Sequence, residues 1–398
     1  MKSVRFSLML VSFLALFSSC TLSEIGGEIK KKVVQGSDYL IEKSKVAYEY
    51  SKEAVGLEEA GPADPEDSDI LFLKGKKGPG KGKLIVLVSG DEEYRTEESM
   101  PMLAKILAEK HGFTCKVLFS WDKSGKYIDP DNHEGVRGWH YLDNADLMII
   151  GTRFRVPSNE EAKHITKFLN DGKPVIGIRT STHAFKWLSD RSFGGKITFK
   201  DFGPKILGEG WVSHHGKHKI EGARGVIEAA NANHPVLRGV NDVFGPSDVY
   251  GINALTAKDT ILMRGQVTAN LNPKSKAVPN KNNPMQPLAW LHPYVSPSGS
   301  RGTSFCTTMG ASVDLASEDL RRLIINASYH LTGLEIPSKA DVAYVDPFYP
   351  SFYGFTKDKK NYWMKMDMQP SDYGLGKSPS AADPTGSPTW PFRPIYKN

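Results

Sequence analysis

Between residues 84 and 178 apolar and polar positions come in alternating blocks. Four short apolar-rich runs, 84–88, 114–119, 147–150 and 175–178, each end abruptly in polar or glycine-containing sequence. Runs of this length suit buried parallel strands covered on both faces. The intervening segments have a helical period. Residues 98–111 place Met102, Leu103, Ile106 and Leu107 on one side, and Ser158 with Glu161 forms a capping box that opens a helix to about Asn170. A short element covers residues 139–142. After Ile178 the chain is expected to turn sharply at Arg179 into a further helix through Ala184, Phe185 and Leu188. Repeated strand-then-helix units of this kind define a doubly wound parallel α/β sheet.

The texture changes from Phe193 onward. Glycine-rich loops enclose β-like runs at 225–230 and 260–267, returning strands are expected at 287–291 and 302–306, and residues 318–331 form a clear amphipathic helix. Residues 269–287 read as a long loop or insertion. This bounds an α/β domain with β and loop insertions at residues 81–337. The stretch 338–398, rich in Pro, Tyr, Ser and Gly, reads as an irregular extension, wrapped over the domain or disordered. Upstream, residues 21–80 read as an arm and linker, with a charged helix at 38–55 and Ile70–Leu73 as a short strand.

Composition changes the picture at one end of the chain. The formal charge is +6 over 398 residues, with no basic stripe interleaved with aromatics, which excludes a nucleic-acid partner from the reading. Lys2 and Arg5 precede a nearly uninterrupted apolar segment, residues 6–17, and then Ser18, Ser19 and Cys20. Residues 1–20 are therefore expected to be a targeting peptide. Small residues before Cys20 resemble a bacterial lipoprotein cleavage box, which would anchor the chain to a membrane through a lipidated Cys20; ordinary secretion is the alternative. Either way the chain is expected to be exported, to the periplasm or to the outer face of a bacterial membrane. Cys115 and Cys306 lie on separate expected strands and read as two buried thiols.

Polar residues follow the C-terminal ends of the strands, where parallel sheets gather their chemistry. Asp91 and Glu92 after the first strand offer an acid or base, or else a solvated loop, with Glu93 beside them and Tyr94 and Arg95 at the entrance. Arg153 and Arg155 after the third suit a carboxylate, phosphate or polyol, or an ion pair with Asp91 or Glu92. After the fourth strand come Arg179, Thr180, Ser181 and His183. Ser181 lacks the surrounding glycines of a hydrolase elbow. On the first turn of a helix His183 would be kept neutral by the helix dipole, and could serve as a base or pack as a core histidine. His214, His215 and His218 crowd within five positions, with Glu209 to orient one of them and Trp211 as a sugar platform. They line a site, face solvent in a loop, or hold a divalent metal, although the spacing fits no strong zinc signature. No cofactor is identified from the residues, and the oligomeric state is not legible.

The order of elements from about Lys83 to Pro337 resembles the ThuA-like (trehalose-utilisation) family, within the class I glutamine-amidotransferase-like superfamily with its flavodoxin-like core. The resemblance rests on residues 89–93, on Thr182-His183-Ala184-Phe185, on Glu209-Gly-Trp-Val-Ser-His-His, and on Pro287-Leu-Ala-Trp290 followed by residues 301–310 and the last helix. It implies a flavodoxin-like fold and a role in saccharide catabolism, on a sugar, keto-sugar or sugar acid. Aligned on Gly177, Arg179 stands where the amidotransferases carry their nucleophilic cysteine, so the resemblance argues against glutamine hydrolysis. ThuA-like proteins often carry a histidine at that turn and another after the late glycine; here Arg179 and Ala311 replace them. What the resemblance leaves is His183 as general base, His214 or His215 as a second acid or base, and Arg179 and Arg153 on substrate oxygens. A non-catalytic carbohydrate or anion binding module, or a structural role, are the other readings.

Overall fold

The computed structural model describes residues 67–388, apart from 189, 195–196 and 357–359. The expected targeting peptide with Cys20 and the helix at 38–55 lie outside the described residues. Ten strands form one sheet: β1 (Ile70–Leu73), β2 (Leu84–Gly90), β3 (Thr114–Leu118), β4 (Leu147–Thr152), β5 (Val175–Ile178), β6 (Gly222–Ile227), β7 (Val243–Gly245), β8 (Thr260–Thr268), β9 (Gln286–Val295) and β10 (Arg301–Thr307). Their order is β1-β3-β2-β4-β5-β10-β9-β8-β6-β7. The block β3-β2-β4-β5-β10 is parallel, and β1 and the run β9-β8-β6-β7 extend it antiparallel. This is the flavodoxin-like α/β core expected, continued by the returning strands.

Alternate strand residues enter different cores, which is why those runs are apolar throughout. Ile85 and Leu87 pack on one face with α1 (Thr96–His111) and α3 (Glu318–Leu331), while Val86 and Val88 pack on the other with α2 (Asn159–Asn170). The capping box at Ser158 is present: Glu161 N–H donates to Ser158 Oγ at 3.3 Å and Ser158 N–H to Glu161 Oε2 at 2.7 Å. Cys115 and Cys306 are buried free thiols. Ile70–Leu73 is no isolated linker strand: it pairs with β3 from Ile70↔Leu118 to Leu73↔Cys115.

One expected helix does not form. Between β5 and Leu188 only a 3-10 turn, Arg179–His183, is helical. The chain then pairs sideways with the segment after β4: Phe154 N–H donates to His183 O at 3.0 Å, Arg155 N–H to Ala184 O at 2.8 Å, and Lys186 N–H to Arg155 O at 3.0 Å. Those lateral bonds take the carbonyls a helix would need. The apolar periodicity of residues 184–188 reflects instead an aromatic cluster, with Phe185 against Phe193, Phe199 and Phe202. Gly203 lets this cluster abut the turn, since a Cβ there would sit 2.1 Å from Thr182 O.

The described part of the C-terminal extension wraps over the domain. It contributes buried Phe348, Phe352, Tyr353, Trp363 and Tyr373 and the short helix α4 (Tyr362–Met366). Glu98, in the first turn of α1, fastens it by accepting from the N–H groups of Ser351 at 2.9 Å and Ala381 at 2.8 Å.

Candidate functional site

Strand order reverses between β2 and β4, so the loops after them open a crevice at the carboxyl edge of the sheet. Asp91, first beyond β2, is buried. Its Oδ1 accepts from the N–H groups of Glu93 at 2.8 Å and Tyr94 at 3.0 Å, and its Oδ2 from the hydroxyl of Thr180. Burial, then the charge of Glu92, pushes its carboxyl up to about 6. Glu92 turns the other way: Oε2 accepts from Arg155 Nη2 at 2.5 Å, and Oε1 meets Arg153 and, at 3.2 Å, His133. Burial raises its pKa, but the His133 bond and the two guanidinium charges outweigh that and hold it down at about 2. Neither acid reaches the open cleft. Both brace the loop, against the expectation of an acid or base there.

Arg155 is likewise buried, donating to Arg153 O at 2.8 Å, Pro130 O at 2.9 Å and Asn132 O at 3.0 Å besides Glu92. Arg153 stays at the rim. Its guanidinium meets Glu92, lies 3.7 Å from Glu93, and sits 5.1 Å from the ring of Phe355. Arg95 lines no entrance; it is buried at φ 61, with Nη2 donating to Glu92 O at 3.0 Å.

The tip of the β5 turn corrects the expectation most. Arg179 adopts φ 46 and is 0% exposed. Nη1 donates to Asp248 O at 2.6 Å and Thr308 O at 2.8 Å, and Nη2 to Asp248 Oδ1 at 2.9 Å and Tyr94 Oη at 3.2 Å. The guanidinium also lies 3.8 Å from the centroid of Tyr250. It is an internal strut: both terminal nitrogens are spent inside the protein, and Nε, also buried, has no partner among the described residues. Ser181 donates to Ile150 O at 2.5 Å and accepts from Ile178 N–H at 3.2 Å, so it pins the turn to β4, while Thr180 holds Asp91.

His183 does face the crevice, 6% exposed, with its ring 5.0 Å from Phe154 and 5.1 Å from Trp211. Its Nδ1 lies 3.2 Å from Thr182 Oγ1. Burial, then Arg153 and Arg179, lowers its pKa to about 3. The ring is neutral, as expected, but desolvation and cations do this in place of a helix dipole.

The histidine-rich loop divides. Residues 213–216 run antiparallel to 249–251, with His215 N–H donating to Val249 O at 2.9 Å and Gly251 N–H to Ser213 O at 2.9 Å. Neighbours on such a ladder point oppositely. His214 therefore enters the cleft, with its ring 4.9 Å from Trp211, and His215 leaves it for Lys281 O at 2.8 Å from Nε2. His214 Nδ1 lies 2.6 Å from Asp248 Oδ2, and His218 Nδ1 lies 3.2 Å from Asp248 Oδ1. His218 Nε2 faces Glu93 Oε1 at 3.3 Å. Burial raises the pKa of Asp248, but Arg179 and the two imidazoles outweigh it and hold the carboxyl well below the usual range. Glu209 orients no histidine. It is buried and accepts from Asn253 N–H at 2.5 Å and Ala254 N–H at 2.7 Å.

Sequence reasoning missed Asp248, on which the loop converges, and Tyr353 and Phe355, which the C-terminal extension delivers. No local pattern marks Asp248: it stands in a Pro-Ser-Asp-Val-Tyr turn that any loop could contain. Of the polar and aromatic residues at this edge, His214 is exposed, Trp211, His218 and Arg153 are half-buried, and His183 and Glu93 are buried.

No family model matches the chain, and no curated protein matches it in sequence. Among solved structures, a ThuA-like protein from Parabacteroides merdae matches with a TM-score of 0.40 and 14% identity, over 65% of this chain and 92% of that one. The chain is similar in structure to ThuA-like proteins. A second, from Bacteroides uniformis, matches with a TM-score of 0.39 and 14% identity over 64% and 93%. The N-terminal domain of IFT52 matches with a TM-score of 0.36 and 11% identity, over 64% of this chain and all of that one. At such identities the likeness to ThuA-like proteins is one of fold.

Proposed function

We propose that this chain binds a carbohydrate, a sugar, keto-sugar or sugar acid, across the Trp211 face and acts on it through His183. The observation that carries this reading is the pair of imidazoles flanking one indole, His183 at 5.1 Å and His214 at 4.9 Å. An aromatic face takes the apolar side of a sugar ring, and imidazoles beside it meet the hydroxyls or a carbonyl at its edge. Arg153 at the rim supplies a fork for a carboxylate or vicinal hydroxyls. Glutamine hydrolysis is no part of the reading, because Arg179 and not a cysteine stands at the β5 turn.

His183→Ala is expected to leave the circular dichroism spectrum unchanged and to abolish consumption of keto-sugars or uronic acids. Equal rates for wild type and variant across those substrates would sink the catalytic reading. A second reading, binding without turnover, draws on the same histidine: a pKa of about 3 makes a feeble base in the free cleft. It predicts ligand-induced thermal stabilisation with no product.

Export with lipidation at Cys20 is part of the proposal, supported by the charged start, the apolar run at 6–17 and the small residues before Cys20. A Cys20→Ala variant should move from the membrane fraction to the soluble periplasmic fraction. Unchanged membrane association would rule lipidation out.

A further inference from the structure

We propose that His214, His218 and Asp248 bind one divalent transition-metal ion of the zinc class, open on the His214 side to an oxygen ligand. One candidate ligand atom from each of the three residues can be chosen so that all lie within 4.8 Å of one another. Metal bonds of about 2.0–2.1 Å place neighbouring ligands of a tetrahedral ion roughly 3.3 Å apart. Both imidazoles turn the same nitrogen, Nδ1, to the two oxygens of Asp248, at 2.6 Å and 3.2 Å, so small rotations open room for an ion between the three. Two imidazoles and a carboxylate are a borderline-soft donor set, suited to zinc, cobalt or iron and poorly to magnesium or calcium.

The surroundings are those that hold metal ligands in place. Glu93 Oε1 lies 3.3 Å from the remote nitrogen of His218, the carboxylate–histidine arrangement that fixes a ligating ring. Arg179 Nη2 holds Asp248 Oδ1 at 2.9 Å, and the rings of Tyr353 at 5.2 Å and Trp211 at 4.9 Å confine His218 and His214. The His214 side is the most open, its side chain 39% exposed beside the Trp211 face against 28% for His218 and 0% for Asp248. An ion there would polarise a carbonyl or hydroxyl oxygen of a molecule lying on the indole, which a weakly basic His183 cannot do alone. Metal binding is read without any substrate, so it stands or falls separately from the carbohydrate assignment.

The test uses the full chain, stripped with a chelator and dialysed. Equilibrium dialysis with Zn²⁺ should give one equivalent per chain, and Co²⁺ should give visible d–d absorption of a four- or five-coordinate site. His214→Gln and His218→Gln should each lower Zn²⁺ affinity at least tenfold and abolish the Co²⁺ bands, and Glu93→Gln should lower affinity about 10–100-fold. Asp248→Asn also disturbs Arg179, so the histidine variants carry the decision. No stoichiometric uptake by wild type, or undiminished uptake by both histidine variants, would overturn the site; protons alone then bridge the imidazoles to Asp248.

Discussion

Arg179→Met is expected to lower folding stability by about 3–5 kcal/mol, the range for removing one partner from a buried ion pair. Methionine keeps the length of the side chain but removes every donor. Asp248 then remains buried and ionised without its guanidinium, and Thr308 O loses a charged donor. The stacking of the cation on Tyr250 at 3.8 Å goes as well. Urea unfolding at pH 7 measures the loss. The double variant Arg179→Met with Asp248→Asn should recover part of it, because the uncompensated charge is gone. A single-variant loss below about 1 kcal/mol, within the range of an exposed pair, would show that Arg179 is not the strut described.

Glu92→Gln should cost about 3 kcal/mol at neutral pH, and the difference from wild type should vanish in acid. The sign follows from the shift. The carboxyl titrates at about 2 in the folded protein against 4.5 in the reference state. A depressed folded pKa means stability that is fully present above the unfolded value and lost as pH falls through the folded one. Glutamine has no such proton to gain. Unfolding free energies of both proteins should therefore run parallel above about pH 6, where Asp91 has also finished titrating, and converge toward about pH 2. Comparing the pair cancels the opposite trend of Glu97, raised to about 8 by burial, since both proteins share it; Asp91, raised to about 6 in part by the Glu92 charge, cancels only for the part that burial supplies. A gap that stays constant across that window would mean Glu92 stabilises by shape and not by charge.

These two acid–base braces mark the limit of what the chain discloses before it folds. That Asp91, Glu92, Arg153, Arg155 and Arg179 would gather at one sheet edge follows from parallel strands ending in polar residues. Which of them would face outward does not. Glu92 and Arg155 are 63 residues apart and Arg179 and Asp248 are 69 apart, and each pair neutralises itself internally. A guanidinium awaiting a ligand and one consumed by a buried carboxylate read identically in sequence. The helix expected after Arg179 failed for a related reason: its apolar period was real, but the apolar groups were claimed by Phe193, Phe199 and Phe202 while the backbone bonded sideways.

The chain by itself determined the α/β core, because burial on both faces of a strand and on one side of a helix leaves its period in consecutive residues. It also determined the capping of α2, a matter of four neighbouring residues, and the edge where chemistry would collect. Only the tertiary structure decided which histidine of an adjacent pair enters the cleft, since strand alternation sends His214 in and His215 out. It alone brought Asp248 to two imidazoles and turned Arg179 from an expected ligand-binding group into an internal strut. Hydrogen bonds and ion pairs between distant segments depend on packing geometry, and packing has no local period.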